Sequence, residues 1–492
     1  MAVVGVIGAG ISGLSAAHFL SKLARSNVKK VIVYEASDRV GGWIQTTRFP
    51  DGTLFEHGPR TVRPIGIAAQ TALRLVEDVG LSMQVLFLTG SHPAAARRMI
   101  YAKGQLHYLP SQISDLLKVR PPFSKAMIKY LTKEMVTKRG RLEDESVYDF
   151  VSRRFGDELA RYAADAMCLG IFAGDSRKLS AKSCFPLLWD KEKDRGSVVR
   201  GFLAPTFGAK ESESAMHSKL STVARSGRWF AWSLQEGLET LPRAVETELL
   251  SDNFVEIRRN DPVTKLGFLQ SGKVEIDSAS GRSTVDHVVS SVFAPQLSQM
   301  LPPDMAPLAA DLRSISAVTV AVLNLQFPGD ILQHLPAFGY LVPSVEQSPL
   351  LGVIFDSWIF PQHAKSSDEQ PITQLTCMLG GAYFDHYFGP LNATTEQRIL
   401  EAARMCLEQQ LNITGTPLRY SLRVHQNCIP QYHVGHAEKL ARIKGFIAHN
   451  KLEMSLIGSS YGGVSVNDCI HGGKKVAEKL AQFGTASYAS YQ

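Results

Sequence analysis

Residues 2–13 read Ala2-Val3-Val4-Gly5-Val6-Ile7-Gly8-Ala9-Gly10-Ile11-Ser12-Gly13. The valine-rich apolar run predicts a buried strand over Ala2 to Ile7. Glycines at 8, 10 and 13 predict a tight turn into a helix, whose pattern runs from Leu14 to about Leu23. Gly8 permits the turn, Gly10 lets a pyrophosphate approach the backbone, and Gly13 lets helix and strand pack closely. The exposed N–H groups and positive end of the helix then suit an anion. A second strand, Val31 to Tyr34, ends at Glu35, 22 residues past Gly13. A carboxylate there accepts hydrogen bonds from ribose hydroxyls and repels a 2′-phosphate, which favours FAD or NAD over NADP. This order predicts a dinucleotide-binding unit.

Two more glycine turns follow at once. Arg39-Val40-Gly41-Gly42-Trp43 comes directly after the ribose acid, and Glu56-His57-Gly58-Pro59-Arg60-Thr61 comes next. Near the other end, Leu456-Ile457-Gly458-Ser459-Ser460 reads as a strand entering a glycine turn. Val464-Ser465-Val466-Asn467-Asp468 then opens a helix running to about Leu480. Its positive end would face an electron-rich ring. The motifs together resemble the FAD-containing amine oxidoreductase superfamily.

That resemblance implies a discontinuous flavin domain holding one FAD. It assigns cofactor contacts to Gly8, Ala9, Gly10, Ile11, Ser12, Gly13 and Glu35 in the first unit. Arg39, Gly42, Trp43, Gly58, Pro59, Arg60 and Thr61 follow, with Val263 from mid-chain and Ser459, Val464, Ser465 and Val466 from the end. Relatives that bond flavin covalently place a Cys before a Tyr near the C-terminus. This chain has Ser460-Tyr461, so the implied FAD is non-covalent.

Longer stretches narrow the resemblance to the protoporphyrinogen oxidases, the animal mitochondrial type above all. They include His92-Pro93-Ala94-Ala95, Gly170-Ile171-Phe172-Ala173-Gly174-Asp175, Phe338-Gly339-Tyr340-Leu341-Val342-Pro343 and Asn427-Cys428-Ile429-Pro430-Gln431-Tyr432. One departure is Glu236, where many relatives carry a second glycine before Leu238. The resemblance implies six-electron oxidation of protoporphyrinogen IX to protoporphyrin IX in haem biosynthesis. Oxygen would be the acceptor and hydrogen peroxide the by-product. It places a substrate propionate on Arg98, the macrocycle between Phe338 and Leu341, Met378 on the wall, and pyrrole N–H groups on the Gly170 carbonyl. No residue stands out as a catalytic acid or base. Two other readings stay open: a related flavin amine or polyene oxidoreductase, and a FAD-binding scaffold without catalysis.

The implied architecture joins an α/β and an α+β class. A discontinuous Rossmann-like FAD-binding domain (1–90, 233–300 and 440–492) accompanies a mixed-sheet substrate domain (301–439) and a helical membrane-associating segment (91–232). Partners implied are a membrane surface and the following haem-pathway enzyme, ferrochelatase, with the chain a monomer or homodimer. The implied address is the intermembrane-space side of the mitochondrial inner membrane, peripheral, with no cleavable presequence.

Composition agrees with an enzyme of several units: 492 residues, 45% hydrophobic and 20% charged. Six cysteines show no metal-ligand spacing, so no metal is expected and the thiols should be reduced and mostly buried. No apolar run reaches the length of a spanning helix. The net charge of +7 is uneven, because eleven Lys or Arg between Arg97 and Arg141 meet only Asp115 and Glu134. Within that stretch, Phe123, Met127, Tyr130, Leu131 and Met135 share one helical face and Lys125, Lys129 and Lys133 the other. An interfacial helix reads this way, and so does an ordinary helix packed on the core with a solvated lysine face. No aromatic-interleaved basic motif points to nucleic acid.

Overall fold

The computed structural model describes residues 1–204, 218–364 and 370–482. The opening strand, Ala2–Ile7, lies at the centre of a five-stranded sheet. It pairs in parallel with Val28–Tyr34 on one side and with His287–Ser290 on the other. Val255–Arg258 and Met454–Leu456 complete the edges, also in parallel. Parallel strands are buried on both faces, which is why these read as valine- and isoleucine-rich runs. Helices Ile11–Leu23 and Val466–Ala481 pack against each other on one face. An antiparallel meander of Val263–Phe268, Val274–Ser278 and Gly281–Val285 covers the other. The discontinuous flavin fold is present, with its two ends side by side.

The second sheet has seven strands and holds the chain's longest pairing, Ala317–Pro328 between Ile372–Gly381 and Arg419–Pro430. Leu350–Ile354, Gly339–Leu341, Met99–Ala102 and Gln105–Tyr108 continue it. The sheet is mixed, since Gly339–Leu341 meets Met99–Ala102 in parallel. Residues 99–108 therefore extend the substrate sheet, although they fall inside the stretch expected to be helical. Trp229–Leu234, at the end of that stretch, forms a separate ribbon with Val85–Thr89.

The rest of the stretch is helical and packs around buried charge. Arg154 and Glu134 are both fully buried; Arg154 Nε donates to Glu134 Oε1 at 2.8 Å and Nη1 reaches Glu192 Oε1 at 3.2 Å. Ser197 Oγ and the Val198 N–H also donate to Glu134. Burial works against its ionisation, yet these bonds hold its carboxyl below the usual range. Glu134 sits on helix Met127–Val136, where Tyr130 and Met127 pack with Phe123, Ile100, Leu159 and Tyr162. Protein thus covers part of the apolar face, while Met127, Leu131 and Met135 stay half-buried and Ile128 and Val136 are exposed. The lysine face is exposed.

Among the described residues no helix is long and apolar enough to cross a membrane. All six cysteines are free, four buried and two partly so.

Candidate active site

At the C-terminal ends of the parallel strands the glycine turn opens on a cavity of about 1660 Å³. Sites for one small molecule span about 300–1,000 Å³, so the space suits a cofactor and a substrate together. The C-terminal strand ends are where open α/β sheets bind ligands.

The nucleotide end tests well against a bound dinucleotide. A Cβ on Gly13 would lie 1.9 Å from the Gly8 carbonyl oxygen, so this position is closed by helix–turn packing. A Cβ on Gly10 would meet nothing nearer than the Gly42 Cα at 3.9 Å, so that position opens on the cavity. Helix Ile11–Leu23 has no side-chain cap and no acid in its first turn, leaving its orphan N–H groups for a phosphate. Ile11, Ser12, Gly42, Trp43, Gly58, Pro59 and Thr61 line the same wall, joined by Ser459, Val464, Ser465 and Val466. The buried Asn467 on that wall has an unpartnered Oδ1, a further group awaiting a ligand.

Other residues expected there also brace the scaffold. Glu35 Oε2 accepts from the Ala9 N–H at 2.8 Å, so the acid ties the strand end to the turn. The Arg39 guanidinium donates to the carbonyls of Val40, Gly42 and Ile44 and shapes the double-glycine turn. Arg60 is buried and committed to Asp356, Thr376 and the Glu56 carbonyl, which clamps the Gly58-Pro59 loop to the substrate sheet. The Val263 side chain packs into the core beneath the meander rather than lining the cavity. Helix Val466–Ala481 differs from expectation in its dipole. Ser465 and Asp468 form a capping box, and that carboxylate offsets the positive end. Glu236 causes no strain, because the left-handed position of its turn falls on Gly237, φ 83°.

Glu56 pins the loop from beneath. Its carboxylate accepts from the Leu238 N–H at 2.6 Å and the Thr46 hydroxyl at 2.7 Å, and burial pushes it up to about 7.

The substrate end is built by strand register. Met99 pairs with Tyr340 and Ile100 with Leu341, which sets Arg98 level with Gly339, and the Arg97 carbonyl accepts from the Phe338 N–H. Leu341 lies opposite Gly352, Gly352 opposite Met378, and Met378 opposite Val322. Directly opposed residues share a face, so these four form one row across the cavity wall. Gly170, in the last turn of helix Asp165–Phe172, approaches Leu341 from above, where a Cβ would meet Leu341 Cδ2 at 2.6 Å. The structure thus brings Arg98, Gly170, Phe338, Leu341 and Met378 into one apolar space. Sequence reasoning missed Gly352 and Val322, whose only signal was membership of strands, and Arg63, two residues past Thr61.

No charged base faces this end among the described residues. His425 lies on the cavity wall, and its Nε2 donates to the His57 carbonyl at 2.6 Å. Burial and the Arg423 charge hold its imidazole below the usual range, and burial brings His57 down to about 4. Cys428 and Cys469 also line the cavity, but burial pushes both thiols up to about 11, so they are not nucleophiles.

Residues 11–481 match the family model described as flavin containing amine oxidoreductase. The chain belongs to that family. Human protoporphyrinogen oxidase is 40% identical over 474 residues, covering 96% of this chain and 97% of its own. The bovine enzyme is 40% identical over 475 residues with the same coverage. These flavin oxidoreductases place the chain in their protoporphyrinogen oxidase branch, with FAD as cofactor. A crystal structure assigned to a protoporphyrinogen oxidase of an Exiguobacterium species has a TM-score of 0.76 at 21% identity, covering 98% of this chain and 99% of that one. Cyclohexylamine oxidase from Brevibacterium oxydans has a TM-score of 0.67 at 15% identity, covering 99% and 100%. At those identities the structural likeness speaks for the amine oxidoreductase fold alone.

Proposed function

We propose that this chain oxidises protoporphyrinogen IX to protoporphyrin IX, with oxygen as the acceptor, in haem biosynthesis. The observation that carries the reading is the continuous cavity, with a dinucleotide turn at one end and an apolar end bearing Arg98 at the other. When bound, FAD supplies two-electron oxidation, so a six-electron conversion takes three rounds. The chain's own work is placement. Phe338 and the Leu341–Met378 row hold an apolar macrocycle, and the Arg98 guanidinium suits a carboxylate. Apolar walls keep water from the reacting carbons. With no charged base at this end among the described residues, pyrrole protons leave to solvent.

Anaerobic mixing of the purified holoprotein with protoporphyrinogen should bleach the flavin absorbance, and air should restore it. Bleaching by a polyamine or polyene but not by porphyrinogen would transfer the chain to a sister activity.

Four residues after Leu109 of the cavity wall comes an exposed turn, Ile113–Leu117, in which Ile113 is 86% and Leu117 72% exposed. Exposed Val119 and the cation Lys118 lie beside it, and Arg120 is paired with Asp115 of the turn. Apolar side chains flanked by cations suit an anionic bilayer surface. This supports peripheral attachment through that turn; the membrane we propose is the mitochondrial inner membrane, on its intermembrane-space side. A protein wholly in the supernatant after centrifugation with anionic vesicles would sink the attachment.

A further inference from the structure

Arg63 lines the cavity between its two ends. It follows the Gly58–Val62 wall, and its carbonyl accepts from the Asn467 side-chain amide at 2.8 Å. The backbone is therefore tied to the flavin end while the side chain points elsewhere. Its guanidinium carbon lies 3.9 Å from the centroid of Phe230, and that of Arg98 lies 5.7 Å from the same centroid. Phe230 in turn meets Phe338 edge-on at 6.0 Å. Both arginines line the cavity.

Two cations sharing one ring need an explanation. Among the described residues neither has a carboxylate within ion-pair distance. The one acid on the cavity wall, Asp468, is spent on its own helix cap. Partial burial and the Arg98 charge both hold the Arg63 guanidinium below its usual range, which is the cost of leaving the pair unbalanced. The aromatic face offsets part of that cost. An anion with two charges would offset the rest.

We propose that Arg63 and Arg98 form a two-pronged site for a dicarboxylate, each guanidinium taking one acid group. This deepens the functional reading above and rests on it, because protoporphyrinogen carries two propionates on neighbouring pyrroles. With both acids held beside Phe230, the macrocycle enters the Phe338–Leu341 slot in one orientation.

The test compares the holoprotein with its Arg63→Ala, Arg63→Lys and Arg63→Ala/Arg98→Ala variants. Substrates are protoporphyrinogen and its dimethyl ester. Arg63→Ala should raise KM for the diacid about tenfold, with kcat far less affected. The loss on the diester should be smaller, since no acid is present to be missed. Arg63→Lys should recover part, keeping charge without the planar fork. The double variant should bind the diacid more weakly than either single one and treat acid and ester nearly alike. Flavin content and Tm show whether each variant folds, and the lysine variant keeps the test open if alanine fails. Equal losses on acid and ester, or a diacid KM equal to the parent's, overturn the assignment alone. A parent that oxidises no porphyrinogen overturns the functional reading and this assignment with it.

Discussion

Helices Ile11–Leu23 and Met127–Val136 were both legible in the sequence, yet only one was legible in full. The first was announced by a glycine turn, and the atoms obey it: a Cβ on Gly13 would sit 1.9 Å from the Gly8 carbonyl oxygen. The second was announced by an amphipathic pattern, and part of its apolar face turned inward around a buried Arg154–Glu134 pair. A glycine motif states what the backbone must do. An amphipathic pattern states only that one face is covered, and leaves open by what.

The comparison breaks most easily at Gly13. Replacement by alanine forces helix and turn apart, so FAD binding should be lost outright, read as absorbance of the purified protein. A yellow Gly13→Ala protein at full occupancy would remove the special status of the turn. Glu134→Ala comes next. It removes one of two carboxylates from a buried guanidinium; a wholly unpaired charge costs about 3–5 kcal/mol, so with Glu192 still in place the urea midpoint should fall by part of that. A variant as stable as the parent would mean the inward face is loosely held. The smallest effect belongs to Lys125, Lys129 and Lys133 changed together to Glu. These side chains are exposed, so stability should hardly change. Vesicle binding should weaken by about 1 kcal/mol per lysine at low salt. That difference should fade near 1 M salt, where the Debye length is about 3 Å. Changing Ile113, Leu117 and Val119 to Ser should instead weaken binding at every salt concentration. A salt-independent loss in the lysine variant would assign the helix's apolar face to the membrane.

The limits of sequence reading follow the same division. Strand, turn, helix and acid at Ala2–Glu35 involve neighbours, so local pattern sufficed. The second flavin-lining segment at Ser459–Val466 was also marked by its own glycine turn. The Leu341–Gly352–Met378–Val322 row was invisible as a row, because register between four separated strands creates it. Strands Met99–Ala102 and Gln105–Tyr108 were absorbed into a helical stretch, since four-residue strands carry almost no periodic signal. Glu134 read as one of two acids in a basic run, when its chemistry is burial against Arg154. Arg63 and Arg98 stand 35 positions apart, and only the ring of Phe230 relates them.

The strand order of the parallel sheet also bears on biogenesis. The central strand, Ala2–Ile7, is made first, but its neighbour on one side is His287–Ser290 and the sheet's edge beyond is Met454–Leu456. At common elongation rates the ribosome needs roughly 15–60 s to reach the first of these partners, and longer for the second. During that interval one edge of an apolar strand has nothing to pair with, the condition in which nascent chains call on chaperones. The cofactor wall is finished later still, when helix Val466–Ala481 docks. FAD loading therefore belongs to the last act of maturation, and a nonsense codon ahead of helix Val466–Ala481 would yield a long polypeptide lacking one wall of its flavin site.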